Sequence, residues 1–133
     1  MFADAGYWIA LIDPRDQSHA MAVRVTLDLG NATLMTTDEV LTEVLNFFSG
    51  AGAPVRRQAA ALVRRISQDD AVEIHEQTHA SFLNGLELFE ARLDKGYSLT
   101  DCISMAVIKE AGLREVLTPD NHFRQAGFVF LLR

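Results

Sequence analysis

The chain has 133 residues, of which 49% are hydrophobic, and it carries a formal net charge of -6. This length and composition predict a single globular domain over residues 1–133 and exclude a disordered or low-complexity chain. Because affinity for phosphates comes mainly from Lys and Arg, the charge also argues against a protein whose whole surface attracts nucleic acid, although it leaves open a nuclease whose acids bind a cation.

Short strand-like runs alternate with longer helix-like runs along the chain, and this alternation favours a parallel sheet covered by helices. In the first half, strands are predicted at residues 1–3 and 32–35. Helices are predicted there at residues 6–12, 17–29 and 54–67, and another begins at an apparent capping box formed by Thr36 to Glu39. That helix carries Glu43 and ends before the Gly-containing segment 49–52.

The second half repeats the alternation. Strands are predicted at residues 72–74, 115–117 and 128–132. Helices are predicted at residues 78–93, from the cap Ser98 to about residue 111, and at residues 121–125. In the first of these helices an apolar stripe at helical spacing predicts a core-facing side. The stripe consists of Phe82, Leu86, Phe89 and Leu93.

Acidic residues interrupt several of these apolar segments. Asp4 and Asp120 follow predicted strands, whereas Glu43 and Asp101 lie in the first two turns of predicted helices. Ligands bind beyond the carboxyl ends of the strands in an open parallel sheet, where these acids would converge. A buried carboxylate is costly without compensation, and no Lys or Arg lies beside them. A shared Mg²⁺ or Mn²⁺ ion, which prefers oxygen ligands, explains all of them.

Local roles compete with this interpretation. Asp101 is the third residue after Ser98 and is placed to complete a capping box. Asp120 and Asp4 each precede a predicted helix and are placed to cap it. Glu43 has the weakest local explanation, because its neighbours on the helix are apolar.

Five segments share a pattern of acids, hydroxyl residues and apolar flanks. They are Phe2–Asp4 with Tyr7–Leu11, Asp16–His19, Thr42–Val44, Ser98–Cys102 and Leu117–Phe123. In order and spacing they resemble the PIN-domain nucleases, and in particular the VapC-type toxins of bacterial toxin–antitoxin pairs. The resemblance covers nearly the whole chain.

This resemblance implies a PIN-like three-layer α/β/α sandwich with a five-stranded parallel sheet. It also implies an endoribonuclease that depends on Mg²⁺ or Mn²⁺, acts on RNA, pairs with a small antitoxin protein and often forms a homodimer. By position, Asp4, Glu43, Asp101 and Asp120 match the family's acidic quartet, which serves as metal ligands and catalytic residues. Thr118 matches the hydroxyl residue that supports the last acid.

One position departs from the family pattern, since Gly6 stands where many relatives carry a Ser or Thr that assists the metal site. The departure and the acidic surface leave room for a PIN-like binding or regulatory module with weak catalysis. A third alternative keeps the enzyme but makes it a stand-alone RNA-processing or DNA-directed nuclease without an antitoxin.

Two further sets of residues have side chains suited to binding RNA or a metal. Four arginines share one side of the helix predicted at residues 54–67, where they either follow an RNA backbone or only solvate the helix. They are Arg56, Arg57, Arg64 and Arg65. The four histidines lack a zinc-ligand pattern and are interpreted as surface or satisfied polar residues. They are His19, His75, His79 and His122.

The location of the protein is predicted from what the sequence lacks. No apolar run approaches the about 20 residues that cross a bilayer, and the N-terminus has no basic region of the kind that begins a signal peptide. Cys102, the single cysteine, has no partner for an internal disulfide. A cytoplasmic protein without a membrane partner is therefore expected.

Overall fold

The structure, a computed structural model, describes residues 1–130. Its strands are β1 (Phe2–Ala3), β2 (Leu34–Thr37), β3 (Val72–His75), β4 (Glu115–Leu117) and β5 (Val129–Phe130). Its helices are α1 (Ala5–Ile12), α2 (His19–Leu29), α3 (Asp38–Phe47), α4 (Ala53–Gln68), α5 (His79–Ala91), α6 (Leu99–Glu110) and α7 (Asn121–Gln125).

The strands form one sheet in the order β3-β2-β1-β4-β5, and every strand pair is parallel. The predicted parallel α/β fold is therefore confirmed. From β1 the chain builds outward to β3 on one side and then returns to place β4 on the other side of β1. The order thus reverses between β1 and β4, and the crevice beyond their carboxyl ends is the expected position of a ligand site.

Buried side chains of β1 and β4 form the centre of the core. Phe2, Ala3, Val116 and Leu117 are each fully buried, as is typical of strands covered on both faces. A buried threonine joins the neighbouring elements: the Thr36 hydroxyl donates to the Ala3 carbonyl oxygen at 2.9 Å and accepts a hydrogen bond from the Trp8 indole N–H at 3.4 Å. These hydrogen bonds fix α1 and β2 against the strand that precedes the ligand site.

The helix that carries Glu43 begins differently from the prediction. Thr36 belongs to β2, and Thr37 caps α3 by accepting a hydrogen bond from the Val40 backbone N–H at 3.0 Å. The predicted capping box of Thr36 with Glu39 is wrong, because the strand continues further than expected. The third residue of the helix is then Val40, whose side chain offers no acceptor.

The predicted core face of α5 is also wrong. The side chains of Phe82 and Phe89 are each 42% exposed and that of Leu93, which lies beyond the end of the helix, is 81% exposed. The buried positions of the helix are Ser81 and Gly85 instead.

Close packing of α5 on α6 explains this orientation. A Cβ atom on Gly85 would overlap Cγ1 of Ile103 and would lie 3.1 Å from the Ile103 backbone nitrogen. Only a small residue allows the two helix backbones to approach so closely. The smallest residues of α5 therefore face α6, and the aromatic side chains of Phe82 and Phe89 are left outward.

The last predicted strand, residues 128–132, corresponds to β5, and residues 131 and 132 lie outside the described part of the chain. Within residues 1–130, no helix has both the length and the apolar character that crossing a membrane requires.

Candidate metal centre

All four carboxylates predicted from the sequence line one pocket beyond the carboxyl ends of β1 and β4. They are Asp4, Glu43, Asp101 and Asp120, and this site is called the acidic pocket below. Apolar walls are supplied by Ile9, Phe47 and Pro119. Residues distant in sequence therefore meet at the point where the strand order reverses.

Asp4 is the most buried of these acids, with 4% of its surface exposed. It follows β1 directly and holds the N-cap position of α1, but its side chain makes no capping hydrogen bond. The predicted local role as a cap is thus not fulfilled. Its Oδ2 atom accepts a hydrogen bond from the Thr118 hydroxyl at 3.0 Å, whereas its buried Oδ1 atom receives none from the described residues.

The charge on Asp4 is unfavourable in this position. Its pKa is raised from 3.8 to about 7, chiefly by burial and also by the neighbouring carboxylates Asp101 and Glu43, whereas the Ala5 backbone N–H and the Thr118 hydroxyl lower it. Burial likewise raises the pKa of Glu43, and the charges of Asp101 and Asp120 add to the effect. The pocket concentrates negative charge that a bound cation would offset.

The donor set fits a hard divalent cation. Carboxylate oxygens are the ligands that Mg²⁺ and Mn²⁺ prefer, and the orphaned Oδ1 atom of Asp4 is a buried acceptor without a partner in the described structure. A cation bound there would satisfy that oxygen and remove the repulsion among the four acids.

Thr118, which is fully buried, connects two of the acids. Its hydroxyl donates to Asp4 Oδ2 at 3.0 Å and accepts a hydrogen bond from the Asp120 backbone N–H at 3.0 Å. It therefore contacts the side chain of the first acid and the backbone of the last.

Asp101 and Asp120 fulfil their predicted capping roles and also line the pocket. Asp101 Oδ2 accepts from the Ser98 backbone N–H at 3.1 Å, and the Ser98 hydroxyl accepts from the Asp101 backbone N–H at 3.0 Å. Asp120 Oδ1 accepts from the His122 backbone N–H at 2.9 Å. Because the caps fix both side chains, the local explanation and the site explanation do not exclude each other.

One residue near the site, His122, was predicted from the sequence to be only a surface or satisfied polar residue. His122 Nδ1 lies 2.9 Å from Asp101 Oδ2 and 3.4 Å from Asp120 Oδ1. One ligand atom from each of these three residues lies within 4.8 Å of the others. The only signal in the sequence is the position of His122 two residues after Asp120, and this spacing is not a zinc-ligand pattern.

The arginines of α4 lie away from the acids. All four are exposed, and the residues that line the acidic pocket in the described structure include none of them. The Arg56 guanidinium donates to the Ser49 carbonyl oxygen at 2.7 Å. Their predicted contact with RNA stays a prediction.

The absence of a side chain at position 6 is explained by the close approach of Pro119. A Cβ atom at position 6 would lie 2.6 Å from Cδ and 2.9 Å from Cγ of Pro119. The proline ring therefore fills the space that a Ser or Thr at position 6 would need. At this position the Pro119 ring lines the pocket in place of a side chain on residue 6.

Comparison with known proteins agrees with this geometry. The PIN domain family profile matches residues 1–129. The 23S rRNA-specific endonuclease VapC20 from two strains of Mycobacterium tuberculosis, CDC 1551 / Oshkosh and ATCC 25618 / H37Rv, is 30% identical over 132 residues, which cover 97% of this chain and 95% of that protein. The crystal structure of M. tuberculosis VapC20, a sarcin-ricin loop cleaving toxin, matches with a TM-score of 0.88 at 25% identity over 99% of this chain and 98% of that one. The chain belongs to the PIN domain family.

Proposed function

We propose that this protein is a metal-dependent endoribonuclease that hydrolyses RNA phosphodiester bonds at the acidic pocket, and that it is the toxin of a toxin–antitoxin pair. The observation that carries the proposal is that four carboxylates line one pocket and that one of them, Asp4, has a buried Oδ1 atom without a hydrogen-bond partner among the described residues. Similarity to a 23S rRNA-specific endonuclease supports RNA as the substrate.

In this proposal Mg²⁺ or Mn²⁺ is held by Asp4, Glu43, Asp101 and Asp120. When bound, such an ion orients and activates a water and offsets the charge of the phosphate. The protein supplies a preset arrangement of ligands, since Thr118 fixes Asp4 and the helix caps fix Asp101 and Asp120. Asp4 must lose its proton for full ligand strength, so metal binding should release protons near neutral pH.

The first RNA to test is the sarcin–ricin loop of 23S rRNA, because the related toxin of known structure cleaves that loop. Specificity for RNA rests on loop shape and exposed bases, which side chains outside the acidic pocket must recognise. The exposed arginines of α4 belong to this part of the proposal as backbone contacts.

Two protein partners complete the proposal. A small antitoxin encoded beside this gene would bind and silence the enzyme, and its absence would favour a stand-alone nuclease. A homodimer is supported by the exposed apolar side chains on and after α5. They are Phe82, Leu83, Phe89 and Leu93. A purified protein that sediments as a monomer at micromolar concentration would contradict the homodimer.

The finer architectural and cellular predictions belong to the same proposal. They are a three-layer α/β/α arrangement around a five-stranded sheet, a single domain over residues 1–133, and a cytoplasmic location. The parallel strand order and the buried free thiol of Cys102 support them.

The test is cleavage of the loop RNA by the wild type and by Asp101→Asn. The amide keeps an oxygen for the Ser98 N–H, so α6 stays capped, but the charge that a cation needs is lost. We expect cleavage to fall by about 100-fold or more, which corresponds to about 3 kcal/mol of transition-state stabilisation. Asp94→Asn is the matched control, because Asp94 lies in an exposed loop and pairs with Arg92.

Two results would contradict the proposal. One is cleavage by Asp101→Asn at the wild-type rate, and the other is wild-type cleavage that persists in EDTA. A wild type that binds RNA but neither cleaves it nor binds Mn²⁺ would favour the alternative of a PIN-like binding module.

A further inference from the structure

His122 connects the beginnings of α6 and α7, where Asp101 and Asp120 lie. Its backbone N–H donates to Asp120 Oδ1 at 2.9 Å, before α7, and its ring Nδ1 contacts Asp101 Oδ2 at 2.9 Å, on α6. The acceptors are carboxylates, so the ring nitrogen is the donor. One residue thereby sets the spacing between acids that are distant along the chain.

The imidazole ring is held in this orientation by the loop before α6. The Tyr97 ring, which is buried, meets it edge to face with the ring centroids 5.6 Å apart. The backbone of Gly96 passes close to the other ring nitrogen, because a Cβ atom on this glycine would lie 3.8 Å from Nε2 of His122. A ring packed in this way can hold a carboxylate in one position.

Both hydrogen bonds to the Asp101 carboxylate fall on one of its two oxygens. Oδ2 accepts from both the Ser98 backbone N–H and His122 Nδ1. Within residues 1–130, no donor reaches Oδ1. The oxygen that is occupied faces the protein, and the other is left for a ligand.

We propose that His122 is a positioning residue of the metal centre, which holds Asp101 through Nδ1 and fixes its distance from Asp120 so that both carboxylates can bind one cation. This inference rests on the proposed function. Hydrogen-bonded partners of metal-binding carboxylates orient the ligand, and their loss typically weakens metal affinity by about 10- to 100-fold.

Direct coordination by His122 is the competing explanation, since one ligand atom from each of His122, Asp101 and Asp120 lies within 4.8 Å of the others. The residues that line the acidic pocket include both carboxylates but not His122 among the described residues. A ring nitrogen that donates its hydrogen to Asp101 Oδ2 has no lone pair left for a cation, so Nδ1 in this arrangement acts on the carboxylate and not on the ion. Nδ1 is directed at the acids themselves.

The experiment measures Mn²⁺ binding by calorimetry in the absence of RNA for the wild type, His122→Ala and His122→Asn. The Asn amide can donate from nearly the position of Nδ1, whereas Ala donates nothing, and both retain the backbone N–H that caps α7. His79→Ala is the matched control, because His79 is exposed and stacks on Phe82. Thermal unfolding without metal verifies that each variant is folded.

We expect the Mn²⁺ dissociation constant to rise by about tenfold or more in His122→Ala and to recover to within about threefold of the wild type in His122→Asn. Unchanged affinity in His122→Ala, or equal losses in Ala and Asn, would overturn the inference. So would a directly bound ¹⁴N nitrogen in the electron spin-echo spectrum of Mn²⁺ on the wild type. If the wild type itself binds no Mn²⁺, the proposed function fails as well, and the two failures are thereby distinguished.

Discussion

The acidic pocket and the contact between α5 and α6 are built on opposite principles. In the pocket, a buried carboxylate with an unpartnered oxygen lies near three other acids, and its pKa is raised to about 7. At the helix contact, Gly85 has no side chain, and this allows the backbone of Ile103 to approach closely. The first arrangement opposes folding in the absence of a ligand, and the second favours close packing.

This difference identifies the part of the fold that is organised for binding. A cluster of like charges that destabilises the folded protein is expected where a ligand compensates the charge. Functional sites often reduce the stability of a protein in this way. Removing the charge of Asp4 should therefore stabilise the metal-free protein while removing function. Changes to the helix contact should destabilise the protein and leave the chemistry of the folded molecules intact.

The largest expected effect is the pH dependence of stability without metal. Because Asp4 binds its proton more tightly when folded, the folded protein holds more protons than the unfolded chain between pH 3.8 and about 7. The free energy of unfolding must fall as pH rises through this interval, by about 4 kcal/mol for a shift of this size. Denaturant unfolding in EDTA should show that fall in the wild type.

Asp4→Asn should remove most of this dependence, since the amide does not titrate, and should make the metal-free protein the more stable of the two above neutral pH. Asp94→Asn, in an exposed loop, should follow the wild type. Parallel pH profiles for Asp4→Asn and the wild type would show that Asp4 is not strained in the folded state.

The second effect tests the helix contact. Gly85→Ala places a methyl group against Ile103, and overpacking of this kind costs about 1–3 kcal/mol. Alanine favours the helix by about 1 kcal/mol over glycine, which offsets part of that cost. We therefore expect the free energy of unfolding to fall by up to about 2 kcal/mol. Urea unfolding measures it, and RNA cleavage per folded molecule should be unchanged.

Gly50→Ala provides the matched control for this substitution, because no atom lies within 4 Å of the added methyl group. It should alter stability by less than about 0.5 kcal/mol. Equal losses in the two variants would mean that contact with Ile103 is not the cause.

The smallest expected effect on stability is at the close contact between Gly6 and Pro119, two residues that line the acidic pocket. Gly6→Ala brings a methyl group against the Pro119 ring, and we expect a loss of about 1 kcal/mol, at the lower end of the overpacking range. Pro119→Ala should relieve the contact, so the double variant should be more stable than the sum of the single changes predicts. Additive losses in thermal unfolding would argue against the Gly6–Pro119 contact.

Much of the site could be predicted from sequence because its acids have poor local explanations. Asp4 lies at the end of an apolar strand, and Glu43 has apolar neighbours on its helix, so their placement indicated a shared ligand before any contact was known. Asp101 and Asp120 depended on resemblance to a family, since Asp101 also completes a capping box and Asp120 also caps a helix. Their roles as metal ligands stay predictions.

The errors arose where tertiary contacts override local pattern. The stripe of Phe82, Phe89 and Leu93 has helical spacing, but close packing at Gly85 turns it outward. His122 contacts Asp101 only because α6 and α7 meet in the fold, and no spacing along the chain reports that contact. Sequence patterns predicted the elements and the acids, whereas the partners of each side chain required the structure.

The most direct test of the metal centre is the number of protons released when Mn²⁺ binds, measured by calorimetry in two buffers of different ionisation enthalpy. Near pH 6, where Asp4 holds its proton, the wild type should bind Mn²⁺ and release close to one proton. Asp4→Asn should bind more weakly and release fewer protons, and Asp101→Asn should bind more weakly. Wild-type Mn²⁺ affinity in both variants, with the same proton release, would contradict a metal centre built from these carboxylates.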